Sequence, residues 1–587
     1  MKDDLTIGMI GRGGDGVVAA GEILAATASM LGLYSAMIKS YGAQIRGGES
    51  LSKTRIANKK IYTTGDKVDV LIAFNWNDYI AFKSEIDVHE NTIIIYPESD
   101  TTKIEDIPVP AECKKYVYKT PFKEIAMETA GTELAKNIVI VGLLSNLSGL
   151  PTENIEKSLT NKFKKKSKEV LEGNLKALKA GFEFAEKNMK KNMPFRGLKY
   201  SQSEPKLMMT GNEITAVASL YSGCRFYSGY PITPSSEVME ILGKEYPKMN
   251  GKMIQTEDEI SALGMAIGAS FGGSKSFTAT SGPGVSLMSE MIGLASIAEI
   301  PTVILNVMRG GPSTGIPTKT EQGDLMQAIS GTHGDAPKVV IAPTSVTDCF
   351  DTTMKAFYMA EKYQTPVIIL SDQYIGQCKV SIDRDEFTEK HCFIKTYERP
   401  IPTEEELKDY KRYRLSENPV VPMSYPGVKK GMYAAAGIEH NEQGYPSSVP
   451  EMHEKMNEKR YKKLELLLEE FKGSLVEIIG PADATNGIIC WGSTKGVVME
   501  VLEELNKNGM KVKALIPKVL YPVPEADIKN FISSLKKILV IEMSYSKQFY
   551  HYLKANADLP KEAKLYKHSG GAPFSVKEIR NAIKEAF

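Results

Sequence analysis

Short apolar runs that read as strands recur along this chain, most of them followed by a stretch with helical spacing, in three blocks of different texture. Strands that alternate with helices build parallel sheets covered by those helices. The expected fold class is therefore α/β with mostly parallel sheets in three domains, because 587 residues are too many for one core. The first block, residues 5–190, opens with "LTIGMIG", a glycine turn and the helix-like "VAAGEILAATASMLG", then "KVDVLIAF" and "NTIIIYP". Its Lys-rich close, "KSLTNKFKKKSKEVLEGNLKALKAGFEFAEKNMKKN", reads as a solvated amphipathic helix before a linker. The second block, residues 206–378, carries the strands "SFTAT", "PTVILNV", "KVVIAP" and "TPVIILS". Residues 379–470, rich in charge, Pro, Tyr and Gly, read as an extended arm ending in a charged helix. A third block follows with "GIICWGS", "KVKALIP" and "KILVIEMS".

Composition narrows the function classes. With 73 basic and 72 acidic side chains the chain offers no electrostatic case for nucleic acid or an anionic membrane. "MKDDLTIGMIGRGGDG" lacks a basic n-region, and no run of about 18 apolar residues occurs, so a cytoplasmic protein without a membrane span is expected. Cys113, Cys224, Cys349, Cys378, Cys392 and Cys490 are scattered without a CxxC pair. That spacing argues against an iron–sulfur cluster or zinc site built by this chain alone, and no metal site is expected on it.

The first glycine turn, Gly11-Arg12-Gly13-Gly14-Asp15-Gly16, lies between a strand and a helix. Free amides at a helix start suit a phosphate, and a tight strand-to-helix turn accounts for the same residues. Gly14-Asp15-Gly16 also begins the motif by which thiamine-diphosphate enzymes hold metal and diphosphate, but the Asn that should follow 25–30 residues later is absent from "SYGAQIR". In "KSYGAQIRGGES", Arg46 stands beside two glycines, where a backbone can approach a partner closely. "RFYSGYPITPSSE" places Tyr230, Pro231 and Thr233 on a proline-stiffened turn before a helix that Ser235 or Ser236 could cap. Glu257, Asp258 and Glu259 open a helix with small residues at Ala262, Gly264, Ala266, Gly268 and Ala269; dipole stabilisation alone would explain such acids. "TATSGPGVSLM" runs a strand into a glycine turn, and "NVMRGGPSTGIPTKTEQGDL" gathers Arg309, Ser313, Thr314, Thr318 and Lys319 in one loop. Cations and hydroxyls on a pre-set loop suit a carboxylate-bearing substrate.

Together "GRGGDGVVAAGEIL", "KSYGAQIRGGES", "GYPITPSSE", "QTEDEISALGMAIGAS", "TATSGPG", "RGGPSTGIPTKTEQGDL" and "SGGAPFSVKEI" resemble the 2-oxoacid:ferredoxin oxidoreductases, in order and over nearly the whole chain. The form resembled is an alpha subunit with the gamma domain fused at its N-terminus. The resemblance implies a gamma domain at 1–190, a pyrimidine-binding-like domain at 195–400, an arm at 401–474 and a transketolase-C-terminal-like domain at 475–587. It implies thiamine diphosphate shared with a beta subunit, which would supply Mg2+ binding and a [4Fe–4S] cluster, with ferredoxin, coenzyme A and a 2-oxoacid as reaction partners. A heterodimer or a dimer of heterodimers would result.

By the same resemblance Glu259 hydrogen-bonds N1′ of the aminopyrimidine, and Pro231, Ser281 and Gly282 line the cofactor. Thr233 and Tyr230 lie beside the substrate, whose carboxylate would meet Arg309 or Lys319, with Thr318 nearby. Ser40, Tyr41, Arg46 and Gly47 form a candidate active-site loop of the gamma domain. The arm, "YKRYRLSENPVVPMSYPGVKKGMYAAAGIEHNEQGYP", is most similar to 2-oxoglutarate-type and broad 2-oxoacid members and argues against a pyruvate-specific enzyme; 2-oxoglutarate is the first-choice substrate, with branched-chain, pyruvate or broad 2-oxoacid specificity as the alternatives. "VIEMSYSKQFY" departs from the family pattern at Ser544, Lys547 and Gln548. An indolepyruvate-type enzyme would carry its own diphosphate motif and cluster cysteines. A non-catalytic nucleotide-binding scaffold using Gly11–Gly16 is the remaining alternative.

Overall fold

A computed structural model describes residues 1–42, 47–189, 193–388 and 392–587, which form two compact units. The first unit takes residues 1–209 with 377–385 and 575–577. Its eight-stranded sheet consists of β1 (Asp4–Arg12), β2 (Tyr34–Tyr41), β3 (Glu49–Ala57), β4 (Lys67–Ala73), β5 (Asp87–Pro97), β6 (Tyr116–Thr120), β7 (Leu207–Met209) and β14 (Lys379–Ile382), in the order β6-β5-β4-β1-β3-β2-β14-β7. The pairs from β6 to β1 are parallel, as the βα alternation predicts; those from β1 to β7 are antiparallel. The reason is local: β2 and β3 pair antiparallel and are separated by too few residues for the crossover that a parallel pair needs. β3 is polar yet buried, since Lys53 Nζ donates to the carbonyls of Gly65 (2.5 Å) and Asp66 (2.8 Å) and Arg55 grips Asp4 and Thr63.

The Lys-rich close of the first block does more than lead into a linker. Its last helix, Lys168–Asn188, buries Ala177, Leu178, Gly181 and Ala185. Any Cβ at Gly142 or Gly181 would overlap a carbonyl of the facing helix, so these two glycines let the helices Lys136–Ser148 and Lys168–Asn188 touch backbone to backbone.

The second unit takes residues 210–376, 386–574 and 578–587. Its larger sheet joins β8 (Phe226–Gly229), β9 (Lys252–Gln255), β10 (Ser276–Thr280), β11 (Thr302–Met308), β12 (Val339–Ile341), β13 (Pro366–Asp372) and β18 (Val519–Tyr521), in the order β18-β12-β13-β11-β10-β8-β9. Every pair in it is parallel except β12–β18. A second sheet holds β15 (Val476–Ile479), β16 (Asn486–Ile489), β17 (Val512–Pro517), β19 (Lys537–Glu542) and β20 (Lys564–Lys567), parallel but for β15–β17. One apolar cluster runs from Ala262 and Met288 through Trp491 to Phe549, so the two sheets share a core.

The arm is irregular in backbone but fixed in place. Glu299, φ +52° and buried, accepts from Lys459 Nζ at 2.6 Å and from Lys463, and its carbonyl accepts Arg412 Nη2 at 2.7 Å. Burial lowers Lys459 to about 8 and Lys463 to about 7, against the pull of that carboxylate. Two buried lysines on the Glu299 carboxylate and Arg412 on its carbonyl tie the arm and the helix Pro450–Glu470 to the 299 turn.

Candidate active site

The carboxyl ends of β8, β10 and β11 lie side by side, the place where open parallel sheets bind ligands. After β8 the chain makes the turn "YPITP". Tyr230 is 41% exposed, Pro231 is exposed and Thr233 is half-buried. Two side chains hold this turn: Asn212 Nδ2 donates to Pro234 O (2.8 Å) and Arg309 Nη1 donates to Thr233 O (2.6 Å). The expected serine cap does not form. Ser235 Oγ turns back to Ile232 O at 3.0 Å, so it stabilises the turn and not the helix Ser236–Glu245.

Glu259 is the first residue of the helix Glu259–Phe271, and Asp258, accepting Ser261 N–H at 2.7 Å, caps it. Asp258 supplies the cap, and Glu259 stands in the first turn, where the helix dipole favours its charge. It is only 6% exposed, and among the described residues nothing hydrogen-bonds its carboxylate. It rests against Gly284 in the first turn of the helix Gly282–Ile297: a Cβ there would stand 2.7 Å from Glu259 Cγ and 3.0 Å from Oε1. Ser281, just before that helix, keeps a buried hydroxyl without a partner among the described residues.

Arg309, 7% exposed, follows β11; its Nε is buried and unpartnered. Burial lowers its pKa, while Asp324 and then Glu259 raise it. Thr233, Glu259, Ser281, Gly282 and Arg309 are thus brought together. Thr318 and Lys319 belong to a loop closed by Gly310 N–H to Lys319 O (3.0 Å) and Ile316 N–H to Gly310 O (2.8 Å). Lys319 packs on Gly571, φ +82°, and Thr320 N–H donates to Gly571 O at 3.2 Å, so the "SGG" segment seats it. Next to it Gln322 bonds Trp491 O and both backbone groups of Met543, and Gln548, one of the departures, binds Gly323 O at 2.6 Å.

Sequence reasoning passed over Asp324 and Asn306. Asp324 precedes the helix Leu325–Ser330 as an N-cap would, but it makes no cap bond and instead accepts Asn306 Nδ2 at 3.1 Å. Burial pushes its carboxyl up to about 6.

In the first unit, Asp15 accepts Arg12 N–H (2.7 Å) and Lys136 Nζ (2.7 Å), so the glycine turn satisfies its own acid. Gly13 N–H donates to Gly48 O at 2.8 Å, which sets that turn against the hairpin of Ser40, Tyr41 and Gly47. Arg46 lies outside the described residues.

Thiamine diphosphate fits the second unit on this geometry. Glu259, 6% exposed and set against Gly284, offers a carboxylate with no hydrogen-bond partner among the described residues, which suits the cofactor's aminopyrimidine.

Three family models cover the chain: "Pyruvate ferredoxin/flavodoxin oxidoreductase" at residues 6–184, its thiamine-diphosphate-binding part at 217–459, and "Pyruvate:ferredoxin oxidoreductase core domain II" at 484–579. The alpha subunit of a Sulfolobus sp. 2-oxoacid:ferredoxin oxidoreductase is 31% identical, over 98% of this chain and 95% of its own. The 2-oxoglutarate oxidoreductase subunit KorA of Mycobacterium tuberculosis is 32% identical, over 92% and 86%. A solved structure of 2-oxoglutarate:ferredoxin oxidoreductase from Magnetococcus marinus, with 2-oxoglutarate, coenzyme A and succinyl-CoA bound, matches with TM-score 0.91, 37% identity and full coverage of both chains. With the site geometry, these likenesses make the chain a member of the 2-oxoacid:ferredoxin oxidoreductase family, an alpha subunit with the gamma part at its N-terminus.

Proposed function

We propose that this chain, joined to a beta subunit, oxidatively decarboxylates 2-oxoglutarate with coenzyme A to succinyl-CoA and carbon dioxide. The electrons pass one at a time to ferredoxin, and the same residues serve the reverse, carboxylating direction. The observation that carries the reading is that Glu259, a residue only 6% exposed, is held against Gly284 with no hydrogen-bond partner for its carboxylate among the described residues. Thiamine diphosphate supplies the carbanion chemistry that cleaves the 2-oxoacid. Glu259 holds a proton at N1′ of its aminopyrimidine, and Ser281, Gly282 and Pro231 shape the walls beside it. Arg309 has a spare buried donor at Nε and pairs with the substrate carboxylate; Thr233 and Tyr230 orient the carbonyl. The tie to Gly571 favours Lys319 and Thr318 as the second, distal cation site, suited to the far carboxylate of 2-oxoglutarate.

A beta subunit is needed because the diphosphate motif is incomplete here; it would carry Mg2+ and the [4Fe–4S] cluster. The surface it would cover is the face that carries exposed Ile260 and Gly268 and, on the next helix, exposed Leu287, with half-buried Gly264 and Gly293 between them; a Cβ at Gly268 or Gly293 meets nothing within 4 Å. In the first unit, Ser40, Tyr41, Arg46 and Gly47 are the proposed gamma-domain loop, supported by the Gly13–Gly48 backbone bond. The second reading is a broad 2-oxoacid specificity, favoured by the name of the Sulfolobus relative. A panel of 2-oxoglutarate, pyruvate and branched-chain 2-oxoacids on the co-expressed complex tests both, with coenzyme-A-dependent viologen reduction as readout. Preference for 2-oxoglutarate supports the first, equal rates the second, and no 2-oxoacid-dependent reduction rejects the class of activity.

A further inference from the structure

The loop that carries Lys319 also carries a carboxylate with no part in the chemistry above. Glu321 stands two residues after Lys319, and its side chain turns back towards the end of β11: a Cβ at Gly310, the residue after Arg309, would lie 3.6 Å from Glu321 Cδ. From there Glu321 Oε1 accepts Gly570 N–H at 2.8 Å, a bond between residues 249 apart. The segment it grips is a turn in its own right. His568 Nε2 donates to Ala572 O at 2.7 Å across it, and Gly570 and Gly571 take φ +122° and +82°, where residues with a Cβ are strained. The same turn meets the loop twice more. Thr320 N–H donates to Gly571 O at 3.2 Å, and a Cβ on Gly571 would stand 2.4 Å from Lys319 Cβ and 2.9 Å from its Cγ. Lys319, Thr320 and Glu321 are therefore fastened, one after another, to two successive glycines. On its other side the Lys319 carbonyl accepts Gly310 N–H at 3.0 Å, so its backbone is held from both directions. Of the two hydrogen bonds between loop and turn, that of Glu321 is the charge-assisted one and the stronger.

We propose that Glu321 is a specificity-determining positioning residue: by clamping the Gly570-Gly571 turn onto the loop, it fixes where Lys319 presents its ammonium and so selects 2-oxoacids that bear a second carboxylate. The inference rests on the reading of Lys319 as the distal cation site. Glu321 acts through Lys319. A lysine stem is flexible, and holding it still against a carboxylate costs side-chain entropy. With its Cβ and Cγ wedged against Gly571, the stem loses part of that freedom before substrate arrives. A 2-oxoacid without a second carboxylate, such as 2-oxobutyrate, draws nothing from that cation and loses nothing when the clamp is cut.

The test uses the complex of this chain with its beta subunit and coenzyme-A-dependent viologen reduction. KM is measured for 2-oxoglutarate, and 2-oxobutyrate is followed as a substrate or, where it turns over too slowly, as a competitive inhibitor. The variants are Glu321→Ala, Glu321→Gln, Gly571→Ala and Lys319→Met. Glu321→Ala should raise KM for 2-oxoglutarate about tenfold with kcat within about threefold, while the 2-oxobutyrate constant stays within about twofold. Glu321→Gln, whose side-chain oxygen can still accept Gly570 N–H, should stay within about threefold of wild type for both. Gly571→Ala, which displaces Lys319 from the other side, should show the same split as Glu321→Ala and stands in for it if that variant does not fold. A merely structural role would move both 2-oxoacids together. Constants for the two 2-oxoacids that shift by the same factor, or not at all, overturn the inference. So does a lower KM for 2-oxoglutarate in Glu321→Ala, which would make Glu321 a rival of the substrate. Lys319→Met separates the two readings. If it keeps the wild-type preference for 2-oxoglutarate, the distal-site assignment itself fails; if it loses that preference while Glu321→Ala and Gly571→Ala keep it, only the role of Glu321 fails.

Discussion

Gly284→Ala perturbs the Glu259 carboxylate while leaving its chemistry intact. The added Cβ would overlap the Thr280 hydroxyl and stand 2.7 Å from Glu259 Cγ and 3.0 Å from Oε1, where nonbonded carbons prefer about 3.5–4.0 Å. Thr280 and Glu259 are both buried, so relief requires Glu259 to shift by about 1 Å. A displacement of that size at a reacting group costs about a hundredfold, or ~2.7 kcal/mol of transition-state stabilisation. Replacing glycine in a helix gains at most about 1 kcal/mol, which offsets part of the local crowding, so the variant should fold. The assay is kcat/KM for 2-oxoacid-dependent viologen reduction by the complex, for Gly284→Ala, Glu259→Ala and the double variant. Because the glycine acts through the glutamate, the double variant should be no worse than Glu259→Ala alone. Wild-type activity in Gly284→Ala, or losses that multiply in the double variant, would refute the reasoning.

Other perturbations have signs that the structure decides. The Asp324 carboxyl is raised from 3.8 to about 6, so its ionised form is disfavoured in the fold. The fold loses nothing below the unfolded pKa, and a penalty of about 3 kcal/mol builds as pH rises from about 4 to 6. Asp324→Asn should therefore raise Tm of the chain at pH 7.5 but not at pH 4; an equal or lower Tm at pH 7.5 contradicts this. Glu299→Gln leaves Lys459 and Lys463 without their shared carboxylate and should lower stability by about 3–5 kcal/mol, read by urea unfolding, with the arm around 425–445 opened to limited proteolysis. Gly268→Leu points into open space, so Tm of the isolated chain should stay within about 2 °C while co-purification of the beta subunit is lost; retained association would remove that face from the proposed interface.

The strands of the second unit were legible because parallel strands buried on both faces read as unbroken apolar runs: "PTVILNV" and "TPVIILS" became Thr302–Met308 and Pro366–Asp372. β3 was not, since Ser52, Lys53, Thr54 and Arg55 are polar by composition and buried only because distant carbonyls and Asp4 receive them. β7 and β14 were missed for their length, three and four residues whose order depends on β2. At the site, Glu259, Thr233 and Arg309 carried a motif signal, whereas the bond from Arg309 to the Thr233 carbonyl joins residues 76 apart and no local pattern encodes it. Asp324 was passed over for a physical reason: an acid before a short helix has the pattern of a cap, and only the structure shows its carboxylate accepting Asn306 Nδ2 instead of capping.

Glu259→Gln in the complex with the beta subunit addresses the central claim most directly, since the amide keeps the shape and loses the proton-holding carboxylate. Coenzyme-A-dependent reduction of viologen by 2-oxoglutarate should fall by about 10²–10⁴-fold, with the Tm of the chain unchanged or raised. A rate within about threefold of wild type would contradict the assignment of Glu259 and, with it, of the site.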